Sequence, residues 1–205
     1  MKKVFILAIG VLVAGAAQAQ TDLNEIKFGI KAGGNFSNII RTDNSDFKTD
    51  FKPGFHAGVF VNIPIIDRLS FAPEVTFSQK GYKSDMFGGT LKQTTNWVEI
   101  PVLVKLNATP SFNVFLGPQV SFLTQTQNKF EGSFGEVEQT NIESQSETFK
   151  KSIFGAVIGI GYDITPQIGI NARYALDLQK NNKNGTTEIP TYKNQVIQAG
   201  LSYSF

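Results

Sequence analysis

The sequence predicts an all-β fold: an eight-stranded antiparallel up-and-down transmembrane β-barrel with short turns on one side and long loops on the other. Three observations carry this reading. Eight segments alternate apolar with polar residues, their connections are short and long in strict turn, and a leader-like N-terminus is followed by no further apolar run of helical spanning length. Period-two alternation gives a strand one apolar and one polar face, and a tilted strand crosses a bilayer in about 9–11 residues.

Lys2 and Lys3 precede the apolar run Val4 to Gly15 and then Ala17-Gln18-Ala19, the basic, apolar and small-x-small order of a secretory signal peptide. A spanning helix needs roughly 20 apolar residues, and this run is shorter. Residues 1–19 are therefore expected to be a cleaved signal peptide, leaving 20–205 as the barrel domain.

The first strand is Ile26 to Gly33, with Phe28, Ile30 and Ala32 on one side and Lys27, Gly29, Lys31 and Gly33 on the other. Seven more follow at about 53–63, 69–82, 94–107, 112–124, 151–163, 167–178 and 193–205. Tight connections with Pro or Asp turn chemistry are expected at 65–68, 108–111 and 164–166. Those at 37–52, 83–93, 125–150 and 179–192 are longer and polar. This regular alternation fits turns on one face of a membrane and loops on the other. The loop at 125–150 is acidic, with Glu131, Glu136, Glu138, Glu143 and Glu147 against Lys129 and Lys150, and is expected to be mobile and solvated.

Alternation alone does not separate a membrane barrel, apolar outside, from a soluble lipocalin-like barrel with an apolar cavity. Charges favour the membrane: Lys31, Glu74, Glu99 and Arg173, with His56 beside them, lie on the polar parity near strand centres, where opposite charges can pair in a lumen. The apolar parity carries essentially none, and a charge at the lipid midplane would cost about 2–4 kcal/mol. Aromatics on that parity gather near strand ends: Phe71, Phe112, Tyr162, Tyr203 and Phe205 at one end, and Phe36, Phe55, Phe77, Phe122, Phe154 and Tyr174 toward the other. Two interfacial girdles would have that placement. Trp97 shares parity with Glu99 and leaves its direction open. Lumenal glycines, among them Gly29, Gly33, Gly58, Gly117, Gly155, Gly159 and Gly161, would make room for large polar side chains. Pro73, Pro101 and Pro118 imply bulges or breaks in pairing, since a closed barrel has no free edge for proline.

The chain stops at Gln198-Ala199-Gly200-Leu201-Ser202-Tyr203-Ser204-Phe205. Its Gln198, Gly200, Tyr203 and Phe205 resemble the C-terminal signal read by the bacterial outer-membrane assembly machinery. The segments Gly29 to Phe36, Trp97 to Lys105, Phe115 to Gln119 and Gly159 to Tyr162 are similar to repeated signatures of the small outer-membrane β-barrel family labelled porin-like or PorT-like. The resemblance implies fold and a location in the bacterial outer membrane. It implies no uniform activity, although some members are linked to protein secretion.

Composition narrows the function further. The 205 residues suit one domain, and 41% hydrophobic against 18% charged residues, with 18 Phe, argues against disorder. Net charge is +2, with Lys2 and Lys3 in the leader, so the clustered basic face of a nucleic-acid binder is missing. With no cysteine, disulfides, zinc thiolates and thiol nucleophiles are excluded. His56 is the only histidine, and its strand position puts it down in the lumen rather than at a rim where a Ser-His-Asp site would meet substrate. Glu74 and Glu99 could form an acid and base pair, but a filled lumen would deny substrate access. No phosphate loop or nucleophile elbow occurs.

Eight strands give an interior that side chains fill. The expectation is a non-enzymatic outer-membrane barrel without cofactor, displaying loops for envelope integrity or a partner. Its expected partners are outer-membrane lipid, the assembly machinery during insertion, and an extracellular or envelope protein. The alternatives are a small transporter or secretion accessory, and a soluble periplasmic ligand-binding barrel.

Overall fold

The computed structural model describes residues 26–41, 48–86, 89–132, 135–142, 151–181 and 191–205. The expected leader, residues 1–19, lies outside them. The described residues form nine strands and no helix: β1 (Lys27–Arg41), β2 (Asp50–Ile66), β3 (Leu69–Met86), β4 (Gly89–Asn107), β5 (Phe112–Gly132), β6 (Gly135–Ile142), β7 (Ser152–Asp163), β8 (Ile168–Asp177) and β9 (Tyr192–Ser204).

Eight of them close a ring. Every neighbouring pair is antiparallel, and β1 closes on β9 from Gly29 opposite Ser204 to Arg41 opposite Tyr192. Closure satisfies the backbone groups of both terminal strands, which hydrocarbon would leave unpaired at several kcal/mol each. β6 is the ninth strand and stands outside the ring. The lower part of β5, Phe112 to Phe122, pairs with β7, while its outer part, Gln125 to Gly132, pairs with β6.

The eight expected strands are all present, and two of the expected loops, 83–93 and 125–150, are shorter than expected. β3 and β4 continue toward each other until only residues 87–88 separate them, so the loop expected at 83–93 is mostly hairpin. Likewise, residues 125–132 and 135–142 of the expected acidic loop pair as β5 with β6. Residues 143–150, including Glu143, Glu147 and Lys150, lie outside the described residues, as do 182–190. The asymmetry between the two ends is therefore carried largely by strands that project past the ring. Opposite them, the turns after Ile66, Asn107 and Asp163 are short, as expected.

The prolines interrupt the ladders. Pairing between β3 and β4 lapses between Pro73 and Thr76, and between β4 and β5 it lapses between Pro101 and Val104, opposite Pro118, in both cases without a change of register. Between β2 and β3 the register shifts beside Pro64. Proline brings no N–H to the ladder, so local gaps accommodate it within a closed sheet.

The two faces separate as the alternation demands. Ile30 is 51% and Val59 44% exposed on the outside, and Leu116, Ile158, Ile170 and Leu201 are exposed with them. Lys31, His56, Glu74, Glu99 and Arg173 are buried inside. This polarity is the reverse of a soluble ligand-binding barrel, which would turn its apolar face inward. On the outer surface Phe36, Phe55, Phe77, Phe154 and Tyr174 stand toward the long-hairpin end, and Tyr162, Tyr203 and Phe205 at the short-turn end, while Phe71, Phe112 and Phe122 are partly covered. Tyr203 and Phe205 meet edge to face at 5.4 Å.

Candidate functional site

Charged side chains fill the middle of the lumen in two ion-paired triads. Lys31 on β1 lies 2.9 Å from Glu74 on β3, and Arg173 on β8 reaches the same carboxylate at 2.7 Å through Nη1. Lys80, also on β3, lies between Glu99 on β4 at 2.6 Å and Asp177 on β8 at 3.4 Å. The first triad has two cations and one carboxylate, the second one cation and two carboxylates. Their charges balance within one lumen. Balance matters because an uncompensated ion in a low-dielectric interior is costly.

Polar side chains complete each network. Arg173 Nε donates to Gln198, whose Nε2 donates to Asn35 Oδ1 at 2.9 Å. Asn35 Oδ1 also takes a bond from His56 Nδ1 at 2.8 Å, which fixes the proton on Nδ1, and Asn35 Nδ2 donates to the Phe55 and Gln79 carbonyls. In the second network Gln119 Nε2 donates to Glu99 Oε1 at 3.1 Å, and Asn181 Nδ2 donates to Asp177 Oδ2 at 3.1 Å. Trp97, 2% exposed, turns inward, with Lys80 Nζ 5.5 Å from its ring centroid. Toward the long hairpins, Tyr82 packs edge-on against Tyr192, whose hydroxyl donates to Gln93 at 2.6 Å.

Glycines make space for this packing. A Cβ on Gly33 would lie 2.1 Å from the Ala199 carbonyl and 2.7 Å from the His56 ring, and one on Gly200 3.1 Å from His56 Nε2. Gly29 and Gly159 similarly admit the rings of Phe60 and Phe115. An apolar cluster of Ala72, Leu103, Phe115, Val157, Ala175 and Val196, contributed by six strands, packs in the same lumen.

All five residues expected in a lumenal cluster are inside, but in two groups. Lys31, Glu74, Arg173 and His56 are connected, whereas Glu99 belongs to Lys80 and Asp177. Sequence reasoning passed over those two partners. Both were within reach, since Lys80 shares parity with Glu74 and Asp177 with Arg173. Of the C-terminal residues, Gln198 and Gly200 face the lumen and contact the cluster, while Tyr203 and Phe205 face outward. His56 is bonded to an amide rather than to a nucleophile, and Glu74 and Glu99 are separately held by cations rather than poised as an acid and base pair.

The barrel has known counterparts. Its fold is similar to that of Ail, the attachment invasion locus protein of Yersinia pestis, with a TM-score of 0.54 and 12% identity over 88% of this chain and 99% of that one. It is also similar to Neisserial surface protein A, with a TM-score of 0.50 and 15% identity over 87% and 97%. At these identities the likeness is one of fold. No curated protein sequence matches the chain. Residues 17–182 match the family described as outer membrane protein beta-barrel domain. With an apolar outer wall and a charged interior, the chain is a bacterial outer-membrane β-barrel protein, and it belongs to that family.

Proposed function

We propose that the protein is a non-enzymatic barrel whose filled lumen makes it a rigid post, and that its external hairpins serve envelope integrity or contact with an extracellular or envelope partner. The observation that carries this reading is the pair of buried triads, which occupy the lumen where a pore would have to run. Moving a solute past them would require separating ion pairs in a poorly hydrated site.

The same reading includes export by removal of residues 1–19 and insertion guided by Gln198, Gly200, Tyr203 and Phe205. The external surface it invokes is the projecting β3–β4 and β5–β6 hairpins, where Lys92 Nζ meets Glu131 at 2.6 Å.

Planar-bilayer recording combined with crosslinking from the β5–β6 hairpin tests the proposal. Electrically silent bilayers and a hairpin-dependent crosslink in intact cells are expected. Steady large conductance would replace the rigid post with a transporter.

A further inference from the structure

On the outer face of the projecting sheet, lysines stand side by side. Lys83 of β3 is the register partner of Lys92 of β4, and Lys92 is that of Lys129 of β5. Lys80, Tyr82 and Gln93, on the other parity, are buried toward the lumen, so the lysine row faces away from it. Like charges directly opposite each other destabilise a sheet. One carboxylate relieves part of the row, because Glu131 takes Lys92 at 2.6 Å and Lys129 at 3.3 Å. Asp85 accepts from the Thr90 hydroxyl at 2.7 Å instead. Lys52 of β2 joins the lysines. Its Cδ would lie 3.2 Å from a Cβ on Gly81 of β3, and burial, then the charges of Lys83 and Lys92, hold its amine below the ordinary lysine range. Neither Lys52 nor Lys83 forms an ion pair among the described residues, although Asp50 is the register partner of Lys83.

Between this row and the lipid-facing wall runs a half-buried amide ladder across the same three strands. Gln79 Nε2 donates to Asn96 Oδ1 at 3.3 Å, and Asn96 Nδ2 donates to Gln125 Oε1 at 3.2 Å. Beneath the ladder, Phe77, Val98 and Phe122 lie opposite one another on the outer wall. One continuous face thus passes from apolar rings through amides to ammonium groups.

Height selects the occupant. Lys83 follows Phe77 by six residues, which is about 20 Å along a strand and about 15 Å along the membrane normal at the usual tilt. The headgroup layer of an ordinary bilayer leaflet is only about 5–8 Å deep. Phosphates level with the lysines therefore belong to a lipid with a tall headgroup. Lysine binds phosphate through charge-assisted hydrogen bonds, and amides both donate to and accept from sugar hydroxyls. A soluble anion would leave the amide and apolar rows of the same face without a role. We propose that the outer face of β3, β4 and β5 binds an outer-leaflet glycolipid with a phosphorylated saccharide headgroup, its phosphates on Lys52 and the lysine row and its sugars on the amide ladder. This inference rests on the outward placement of the long hairpins and supplies the envelope-integrity arm of the proposed function with a lipid.

The test titrates the mature full-length barrel in detergent with rough lipopolysaccharide carrying a phosphorylated core, with the same glycolipid after dephosphorylation, and with phosphatidylglycerol, while native mass spectrometry counts bound lipid. Saturable binding of the phosphorylated glycolipid is expected, about tenfold or more tighter than of either comparison lipid. Lys52→Gln combined with Lys83→Gln should weaken it about 25-fold, about fivefold for each lysine at a charged surface. Glu131→Gln should tighten it, because Lys92 and Lys129 lose their competing carboxylate. Lys151→Gln combined with Lys180→Gln removes the same charge from exposed positions beside β7 and β8 and should leave it unchanged. Equal affinity for phosphatidylglycerol or for the dephosphorylated glycolipid would overturn the proposal, as would equal losses in the two double variants. The wild-type comparison of the three lipids decides the matter even where a variant fails to fold. Failure here beside electrically silent bilayers would leave the rigid post standing, whereas steady conductance beside selective binding would remove the post and keep this site.

Discussion

Arg173 of β8 and Glu74 of β3, 99 residues apart in the chain, meet across the lumen with 2.7 Å between Nη1 and Oε2. Glu74 is the single carboxylate between two cations, since Lys31 shares it. Glu74→Gln therefore leaves two buried cations facing each other, and a loss of about 3–5 kcal/mol is expected. Arg173→Ala leaves Lys31 and Glu74 paired and should cost less, about 1–3 kcal/mol from the orphaned Gln198 and Glu74 bonds. Urea unfolding in lipid vesicles, followed by heat-modifiable gel migration, gives both values. Equal stability of both variants and wild type would remove the triad from the account.

Lys80 holds the opposite arrangement, one cation between Glu99 and Asp177. Lys80→Met leaves two buried carboxylates without their cation and is also expected to lose about 3–5 kcal/mol. Trp97 is the only tryptophan, so its emission reports this site directly. The variant's native-state spectrum should change, while that of Lys31→Met should change little.

Gly33 and Gly34 are neighbours with opposite surroundings. A Cβ at Gly33 would collide with the Ala199 carbonyl, whereas one at Gly34 meets nothing within 4 Å. Gly33→Ala should destabilise by about 1–3 kcal/mol, the usual range for overpacking. Gly34→Ala should be neutral in the same unfolding assay.

At the projecting end, hydrogen bonds from Lys92 and Lys129 hold the Glu131 carboxyl below the ordinary carboxylate range. A depressed folded value means this contribution is fully present above the unfolded value of about 4.3 and is lost as pH falls through the lower, folded value. Amide exchange at residues 127–132, compared with Glu131→Gln at each pH, should show extra protection in wild type near neutrality that disappears in acid. An unchanged difference between the two across that range would rule out the contribution.

Tyr203 and Phe205 face outward and touch each other rather than the lumenal core. Removing Phe205 should therefore lower the amount inserted in cells while leaving detergent refolding of the purified chain nearly intact. Loss of both would make Phe205 a stability residue instead of part of a signal.

The ring was legible because lipid on one side and packed charge on the other enforce period two along each membrane-crossing stretch. The projecting strands were not, since polar residues stand on both faces there, Ser84 and Gln93 on the buried side and Lys83 and Asp85 on the other. Thus Lys83 to Met86 and Gly89 to Gln93 lack the alternation that marked Phe28 to Ala32, and cross-strand pairing extends them regardless. Within the site, parity placed Lys31, His56, Glu74, Glu99 and Arg173 inside. The direction of Trp97 was left open by parity with Glu99 on one side and the interfacial preference of tryptophan on the other, and it turns inward. What parity cannot give is partner choice, which depends on side-chain reach across the lumen. Lys80 takes Glu99, and Arg173 takes Glu74.

Ile30 and Val59 face each other across β1 and β2 on the outer wall. Spin labels at these two positions, compared with one at buried Thr76, probe the orientation of that wall through collisions with oxygen and with a water-soluble nickel chelate. The account predicts strong oxygen and weak nickel broadening at 30 and 59 in reconstituted vesicles. Nickel accessibility there like that of a label in bulk water would contradict it.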